Sequence, residues 1–227
     1  MIDIKDIENK IINADCMDIL KELPDKCVDL SFTSPPYNRK RNDKYKNYND
    51  CIDDYYDFLC NFTNELVRIT RKYVIINIQS NFYNKIDVYK FFGHYAEIIS
   101  QVFIWEKLNP LPANANNITN AYEYFIFLSK DAVKANTSYI KNHITTPVSN
   151  ETTSIHKAVM PLKVAEYFVK NFSEENDLIL DNFSGLGTTA VACHNLKRRF
   201  ICIEKDKDYF DASVERLKNA QAQMKLF

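Results

Sequence analysis

The feature that most constrains the fold is a glycine loop near the end of the sequence, DNFSGLGTT at residues 181–189. The chain has only three glycines, and two of them, Gly185 and Gly187, lie in this loop. An apolar run precedes the loop and a helix-like segment follows it. Because glycine lacks a Cβ, backbone N–H groups can approach a ligand closely, and a helix start adds unpaired donors. The pattern predicts either a site for a nucleotide-like ligand or a capped structural turn.

Two cofactors suit this loop. The spacing Gly185-x-Gly187-x-x-Ala190 fits the relaxed dinucleotide fingerprint, and Glu204 ends the next apolar run, where a ribose-binding carboxylate would stand. S-adenosylmethionine fits equally well, since its ribose hydroxyls need the same acceptor. Only about forty residues follow Gly185, too few for the remaining strands of a dinucleotide-binding fold unless the chain order is permuted. The position of the loop argues against the dinucleotide.

Composition limits the class of protein. A chain of 227 residues that is 46% apolar and 26% charged predicts one domain over residues 1–227. Without an apolar run of eighteen residues, and with a charged start, it is expected to be cytoplasmic with no membrane partner. The six cysteines show no Cys-x-x-Cys spacing and the four histidines form no pair, so reduced thiols and no metal are expected. The net charge of −1 means that any contact with DNA must be local.

Strands and helices alternate along most of the sequence. Strands are predicted at 9–15, 28–32, 73–78, 97–105, 122–128, 177–181 and 200–204. Helices are predicted at 16–23, 52–71, 84–92, 162–172, 190–196 and from about 208. This alternation favours a largely parallel sheet covered on both faces.

A second distinctive segment, TSPPYN at residues 33–38, follows the strand predicted at 28–32. Consecutive prolines neither donate to a sheet ladder nor continue a helix, so they fix a rigid exit at the carboxyl end of the strand. That edge is where open α/β sheets bind ligands, although a plain strand-terminating loop is the alternative. Residues 39–50 then form a basic loop that suits either solvent or phosphate contacts and base stacking. Residues 130–155 lack periodicity and predict a variable surface segment.

The TSPPY segment has the groups that methylation of an exocyclic amino nitrogen requires. On cytosine or adenine the lone pair of that nitrogen is delocalised into the ring and must be localised before attack. The side-chain oxygen of Ser34 and the carbonyl of Pro35 could accept both amino hydrogens, and Tyr37 offers a face for a flipped base. Methylation of a ring carbon would instead want a thiolate, typically in a Pro-Cys pair, and no Pro-Cys dipeptide occurs.

Taken together, several segments resemble the exocyclic-amino DNA methyltransferases across nearly the whole chain. They are FTSPPYN at 32–38, WEKLNPLP at 105–112, YEYFIFLSK at 122–130, and the stretch from 156 through LILDNFSGLGTT to FICIEKDKDYF. Because TSPPY precedes the glycine loop, the chain is similar to their beta group, which is circularly permuted. The resemblance implies an α/β, Rossmann-like S-adenosylmethionine-dependent fold with a largely parallel seven-stranded sheet that includes an antiparallel strand pair.

The resemblance also implies roles for individual residues. Those expected to hold the target base are Ser34, Pro35, Pro36 and Tyr37. Those expected around S-adenosylmethionine are Asp15, Cys16, His156, Asp181, Asn182, Phe183, Ser184, Gly185, Gly187, Thr188, Thr189, Glu204 and Lys205. Those expected to contact double-stranded DNA are Asn38, Arg39, Lys40, Arg41, Lys44 and Lys46. Structural alternatives are a helix N-cap for Asp15, a helix entry for His156 and a core position for Trp105.

The chain departs from the family pattern at two points. Asn182 replaces the usual proline after the aspartate of the glycine loop, which loosens a rigid turn. The segment that normally recognises the target sequence is short, about twenty-five residues after Lys130. The basic loop could share that task, a second subunit of a homodimer could help, or the recognised site could be short.

The resemblance favours N4 of cytosine as the target, with N6 of adenine as the alternative, because relatives with Ser before Pro-Pro-Tyr are more often cytosine-N4 enzymes. The physical preference is weak, since serine and aspartate can both hold an amino hydrogen. In a dinucleotide oxidoreductase the TSPPY segment would have no function. RNA or protein-amide methyltransferases generally have Asn at the position of Ser34, and an inactive DNA-binding module would not need both sites intact.

Overall fold

A computed structural model describes residues 2–40, 50–110, 119–147 and 159–224. The strands are β1 (Lys10–Asn13), β2 (Val28–Thr33), β3 (Thr70–Ile78), β4 (Ile99–Lys107), β5 (Tyr122–Leu128), β6 (His143–Thr146), β7 (Leu178–Asp181) and β8 (Arg199–Glu204). The helices are α1 (Ile4–Ile7), α2 (Cys16–Leu20), α3 (Tyr55–Ile69), α4 (Lys85–His94), α5 (Leu162–Phe172), α6 (Thr188–Asn195) and α7 (Lys207–Met224).

The eight strands found within the described ranges form one sheet in the order β1-β8-β7-β2-β3-β5-β4-β6. Only β5 runs antiparallel to its neighbours β3 and β4; the other pairs in the sheet are parallel. The predicted largely parallel sheet with an antiparallel strand pair is therefore confirmed. The sheet has eight strands rather than seven because β6 adds a strand beside β4 at the edge. This strand lies in the segment predicted as variable surface, and its four residues are too few to give a readable alternation.

Two apolar layers cover the sheet, one on each face. Side chains alternate between the faces along a strand, so Ile76 of β3 belongs to the layer formed with α2, α3 and α4, whereas Ile75 belongs to the layer formed with α5, α6 and α7. On the second face Phe168 of α5 stacks against Phe125 of β5 and Phe32 of β2. These rings are almost completely buried, and each contributes roughly 2–3 kcal/mol of hydrophobic stabilisation.

Helix boundaries follow local sequence signals closely. Helix α5 occupies the predicted range and begins after Pro161, whose missing N–H costs nothing at a helix start. Helix α3 begins at Tyr55 rather than at residue 52 and ends at Ile69 rather than at residue 71. Its buried side chains include Leu59, Phe62 and Leu66, which recur at the helical spacing seen in the sequence.

Some features are absent from the described ranges. Within residues 2–40, 50–110, 119–147 and 159–224, no helix is long and apolar enough to cross a bilayer. The same ranges contain no group of three or more His, Cys, Asp or Glu side chains arranged to hold a metal ion.

Candidate active site

The glycine loop and the TSPPY segment lie side by side at the carboxyl edge of the sheet. Strands β2 and β7 are parallel neighbours, with Ser31 opposite Leu180. The hydroxyl of Thr33, the last residue of β2, donates a 2.9 Å hydrogen bond to Oδ1 of Asp181, the last residue of β7. Both residues are buried. Two segments about 150 residues apart in sequence therefore begin from directly hydrogen-bonded positions.

Asp181 anchors the start of the glycine loop. Besides the bond from Thr33, its Oδ2 accepts a 2.6 Å hydrogen bond from the Thr189 hydroxyl, and its Oδ1 accepts the backbone N–H of Phe183 at 3.1 Å. Burial nevertheless raises the pKa of Asp181 to about 6, because these three donors only partly replace lost water. The carboxyl thus ties both ends of the loop to the TSPPY strand.

Replacing Asp181 by asparagine should change the pH dependence of stability. The pKa of Asp181 in the folded protein is about 6, above its ordinary value of 3.8, so the folded state binds this proton more tightly than the unfolded state. The stabilisation is present at low pH and is lost as pH rises through about 6. Between about pH 4 and pH 7 the free energy of unfolding should fall by about 2 kcal/mol relative to Asp181→Asn. Urea unfolding of both proteins at several pH values in this range measures the difference. If the two free energies of unfolding changed by the same amount with pH, the prediction would be contradicted.

The two loop glycines serve different purposes. Both have positive φ, +51° at Gly185 and +72° at Gly187, a region that other residues rarely adopt. A Cβ at Gly187 would lie 3.0 Å from Cβ of Ser213, so Gly187 allows close packing of α6 against α7. A Cβ at Gly185 would meet no heavy atom within 4 Å. Gly185 therefore borders open space in which a ligand can approach the backbone.

The loop also contains buried polar groups that are not satisfied within the described part of the chain. The side-chain amide of Asn182 and the hydroxyl of Ser184 are buried and have no hydrogen-bond partner there. Groups of this kind are costly unless a ligand or ordered water pairs with them. Between them in sequence, the Phe183 ring packs against Phe58 and Phe62 of α3 at centroid distances of 5.7 Å and 5.1 Å. The loop thus combines a fixed aromatic ring with unused polar atoms.

Glu204 fixes the other side of this space. Its Oε2 accepts the N–H of Gly185 and its Oε1 accepts the N–H of Asp206, both at 2.8 Å. Burial raises the pKa of Glu204. Since a carboxylate oxygen has two lone-pair directions, both oxygens can still accept from ligand hydroxyls.

Asp15 has two structural contacts at the neighbouring strand end. Its Oδ1 caps α2 by accepting the Met17 N–H at 2.9 Å, so the N-cap reading is correct. Its Oδ2 pairs with Lys205 Nζ at 2.9 Å. Burial raises the pKa of the adjacent Cys16 thiol to about 11, which keeps that sulfur protonated and weakly nucleophilic. Asp15, Cys16 and Lys205 therefore lie together where β1 and β8 end.

The TSPPY segment encloses a polar network that sequence reasoning missed. The Tyr37 hydroxyl donates to Asn77 Oδ1 at 2.7 Å or to Glu123 Oε2 at 2.9 Å, and it lies 3.0 Å from Ser34 Oγ. Ser34 Oγ is also within 3.2 Å of Asn77 Oδ1. The other carboxylate oxygen of Glu123 pairs with Lys107 Nζ. Burial raises the pKa of Tyr37 well above its ordinary value, so the phenol stays protonated.

The backbone of the segment is held just as firmly. The Tyr55 hydroxyl donates to the Pro36 carbonyl at 2.6 Å. The side-chain amides of Asn81 and Asn84 both donate to the Tyr37 carbonyl at 2.8 Å. Among the residues that the structure describes, none donates to the Pro35 carbonyl. That carbonyl and the Ser34 hydroxyl are thus the acceptors left for a bound group.

The first residues of the basic loop differ from one another in environment. Asn38 is only 2% exposed, and its side chain bonds to both the N–H and the carbonyl of Ile52, so its role here is structural rather than the expected DNA contact. The Arg39 guanidinium lies over the Tyr37 ring at 5.5 Å and donates to Gln79 Oε1 at 2.6 Å. Lys40 is exposed. The expected positions Arg41, Lys44, Lys46 and His156 lie outside the described residues.

Trp105 lies in the core, which confirms the structural alternative given for it above. It is buried and its indole N–H donates to Thr146 Oγ1 at 2.8 Å. The missed residues are visible as polar positions in the sequence, because Asn77 interrupts the apolar second half of β3 and Glu123 is a charged residue in the apolar and aromatic strand β5. Such interruptions in buried strands often mark polar groups that face a site.

Comparisons with known proteins identify the family and the fold. A family model for N6/N4 methyltransferases, described as DNA methylase, matches residues 28–215. The type II methyltransferase M.HinfI of Haemophilus influenzae is 25% identical and aligns with 95% of this chain and 70% of its own length. The type II methyltransferase M.BglII of Bacillus subtilis is 27% identical, with 92% and 69% covered.

Solved structures show the same fold. The PvuII DNA methyltransferase, named as cytosine-N4-specific, matches with a TM-score of 0.74 at 20% identity, covering 93% of this chain and 90% of that one. A complex of M1.HpyAVI with SAM matches with a TM-score of 0.68 at 24% identity, covering 92% and 98%. The predicted methyltransferase fold is confirmed, and the chain belongs to the N6/N4 DNA methylase family.

Proposed function

We propose that this protein transfers a methyl group from S-adenosylmethionine to the exocyclic N4 of cytosine in double-stranded DNA. The observation that supports this most is the hydrogen bond between Thr33 and Asp181. It places the loop with unused polar groups beside the segment with unused acceptors, so that a methyl donor and an amino group could meet. Methyl transfer needs this proximity because it proceeds by direct in-line attack.

The glycine loop has the features that S-adenosylmethionine requires. Bound there, it would supply an electrophilic methyl group on a positively charged sulfur. Glu204 would accept hydrogen bonds from the ribose hydroxyls, and the open space at Gly185 would admit the ligand beside the backbone. The unpaired side chains of Asn182 and Ser184 fit a polar ligand better than an apolar one. The complex of M1.HpyAVI with SAM supports the same assignment.

The Ser34 and Pro35 oxygens would then orient the target base. The Ser34 hydroxyl can donate to Asn77 or Tyr37 and still accept an amino hydrogen, while the Pro35 carbonyl accepts the second one. Together they would draw the nitrogen towards a tetrahedral shape and aim its lone pair. The base must leave the duplex first. Because Arg39 already lies over the Tyr37 ring, a stacked base would use the opposite face or displace the guanidinium.

Cytosine is preferred to adenine for two reasons. Ser34 precedes Pro-Pro-Tyr, as it does more often in cytosine-N4 relatives than in adenine-N6 ones, and the PvuII enzyme with the same fold is named as cytosine-N4-specific. Methylation of N6 of adenine is the second candidate, because the matched family model covers both kinds of enzyme.

Mass spectrometry of nucleosides tests the proposal directly. DNA from cells that express the protein should contain N4-methylcytosine, and DNA from cells that express Tyr37→Ala should not. Finding N6-methyladenine instead would select the second candidate. Finding neither modified base, with the protein folded and abundant, would contradict the proposed function.

Charge removal at the start of the basic loop should weaken DNA binding in a salt-dependent way. In Arg39→Gln/Lys40→Gln, the slope of log affinity against log salt concentration should become shallower by about 1–2, since each lost phosphate contact removes about 0.9. The matched control is Lys170→Gln/Lys197→Gln, two exposed lysines where α5 and α6 end, away from the carboxyl edge of the sheet. Fluorescence anisotropy with a duplex measures both slopes. Equal slopes in the two variants would mean that Arg39 and Lys40 do not contact phosphates and are either structural or solvated.

A further inference from the structure

An exposed aromatic surface adjoins the TSPPY segment. The turn after β3 and the first turns of α4 present Phe82, Tyr83, Ile86 and Tyr89, which are 76%, 54%, 63% and 61% exposed. Two exposed lysines, Lys85 and Lys90, lie among them. We call these six residues the aromatic face. Large apolar side chains grouped in this way mark a contact surface rather than ordinary solvent exposure.

We propose that Phe82 enters the base stack of DNA beside the flipped nucleotide, with Lys85 and Lys90 on nearby phosphates. The inference rests on the proposed function and names a residue that would help to open the duplex. Apolar side chains that insert between base steps unstack them, and the vacated position needs a filling group. An aromatic ring on an exposed turn is suited to this task.

The turn that carries Phe82 is tied to the catalytic segment. Asn81, the preceding residue, donates to the Tyr37 carbonyl at 2.8 Å, and Asn84 does the same from a fully buried position. Asn84 Oδ1 also accepts the N–H of Asn81 at 2.7 Å, which closes the turn. Gln79 accepts a hydrogen bond from Arg39. The position of Phe82 relative to Tyr37 is therefore set by a short chain of hydrogen bonds.

The charges on the aromatic face favour a polyanion. All of the exposed residues between positions 81 and 90 are aromatic, aliphatic or lysine, and Asp87 is half-buried. Lys85 Nζ lies over the Phe82 ring at 5.1 Å, and the Tyr83 ring meets it edge-on at 5.4 Å. Interleaved cations and aromatics are typical of surfaces that bind bases and phosphates. If two copies of the chain met through the aromatic face in a two-fold dimer, Lys85 and Lys90 of both copies would be brought together and would repel one another. DNA is therefore favoured over a second copy as the partner of this surface.

The test compares methyl transfer on two duplexes that carry the site mapped by sequencing of modified DNA. In one duplex the target base is paired, and in the other it faces an abasic position. With the paired duplex, Phe82→Ala should lower kcat/KM about tenfold or more, the effect expected from loss of one stacking partner. With the abasic duplex the target base leaves the helix more easily, so kcat/KM of Phe82→Ala should lie within about threefold of the value for the unchanged protein. Phe82→Trp should restore transfer on the paired duplex.

The control is Val214→Ala, which shortens an exposed apolar side chain of α7, a helix on the opposite face of the sheet from α4. It should behave like the unchanged protein on both duplexes. An equal loss on both duplexes for Phe82→Ala would make Phe82 a simple surface contact and overturn the inference. A loss that depends on protein concentration, with altered sedimentation, would assign the aromatic face to self-association instead. Failure of the unchanged protein to methylate either duplex would remove the proposed function as well.

Discussion

Replacing Tyr37 by alanine should lower kcat for methyl transfer by about a thousandfold, while the affinity for S-adenosylmethionine stays within about threefold. The ring carries the surface for a flipped base, and its hydroxyl joins Ser34, Asn77 and Glu123. Losing both removes the stacking partner and frees the Ser34 acceptor to rotate. The glycine loop is anchored separately, through Asp181 and Glu204, so the cofactor site should persist.

Tyr37→Phe separates the two effects because it keeps the ring and removes only the hydroxyl. Buried oxygens of Asn77 and Glu123 would lose a donor, which should destabilise the fold by about 1–3 kcal/mol. Turnover should fall by about ten- to a hundredfold, less than in Tyr37→Ala, since stacking remains. Steady-state kinetics, calorimetric titration with S-adenosylmethionine and urea unfolding measure the three quantities. Loss of cofactor affinity in Tyr37→Ala would show that the two loops are not independent and would refute the assignment of roles.

The parts of the site that sequence reasoning predicted are those encoded by contiguous segments. The strand before each loop, the paired prolines and the glycines at 185 and 187 are local patterns, and local patterns predict the ends of strands in an α/β sheet. Their juxtaposition followed only from the rule that parallel strands present their carboxyl ends at one edge. The structure confirms it, with Thr33 bonded to Asp181.

The parts that were missed depend on the order of strands across the sheet. Asn77 lies in β3, Glu123 in β5 and Lys107 in β4, and they converge on Tyr37 only because β5 inserts between β3 and β4. Periodicity in one segment carries no information on which strands become neighbours. Similarly, β6 is short, and it is the pairing with β4 that makes it a strand. Such features require the tertiary arrangement.

Gly185 offers the sharpest test of the cofactor loop. In Gly185→Val, affinity for S-adenosylmethionine should fall at least about a hundredfold, because the added side chain would occupy the open space beside the backbone rather than any existing protein contact. Calorimetric titration measures this. Valine also strains a backbone with φ of +51°, at a cost of about 1–2 kcal/mol, so a loss of binding alone does not distinguish filling from strain.

Two companion variants make that distinction. Asparagine tolerates the left-handed conformation, so Gly185→Asn should lose cofactor affinity while its melting temperature stays close to that of the unchanged protein. Gly187→Ala should do the reverse and destabilise the fold first, since its Cβ would lie 3.0 Å from Cβ of Ser213. If Gly185→Asn binds S-adenosylmethionine normally while Gly185→Val does not, strain rather than occupied space explains the valine result. The open space beside Gly185 would then have to be discarded as the cofactor position, because a polar side chain placed in it would not have displaced the ligand.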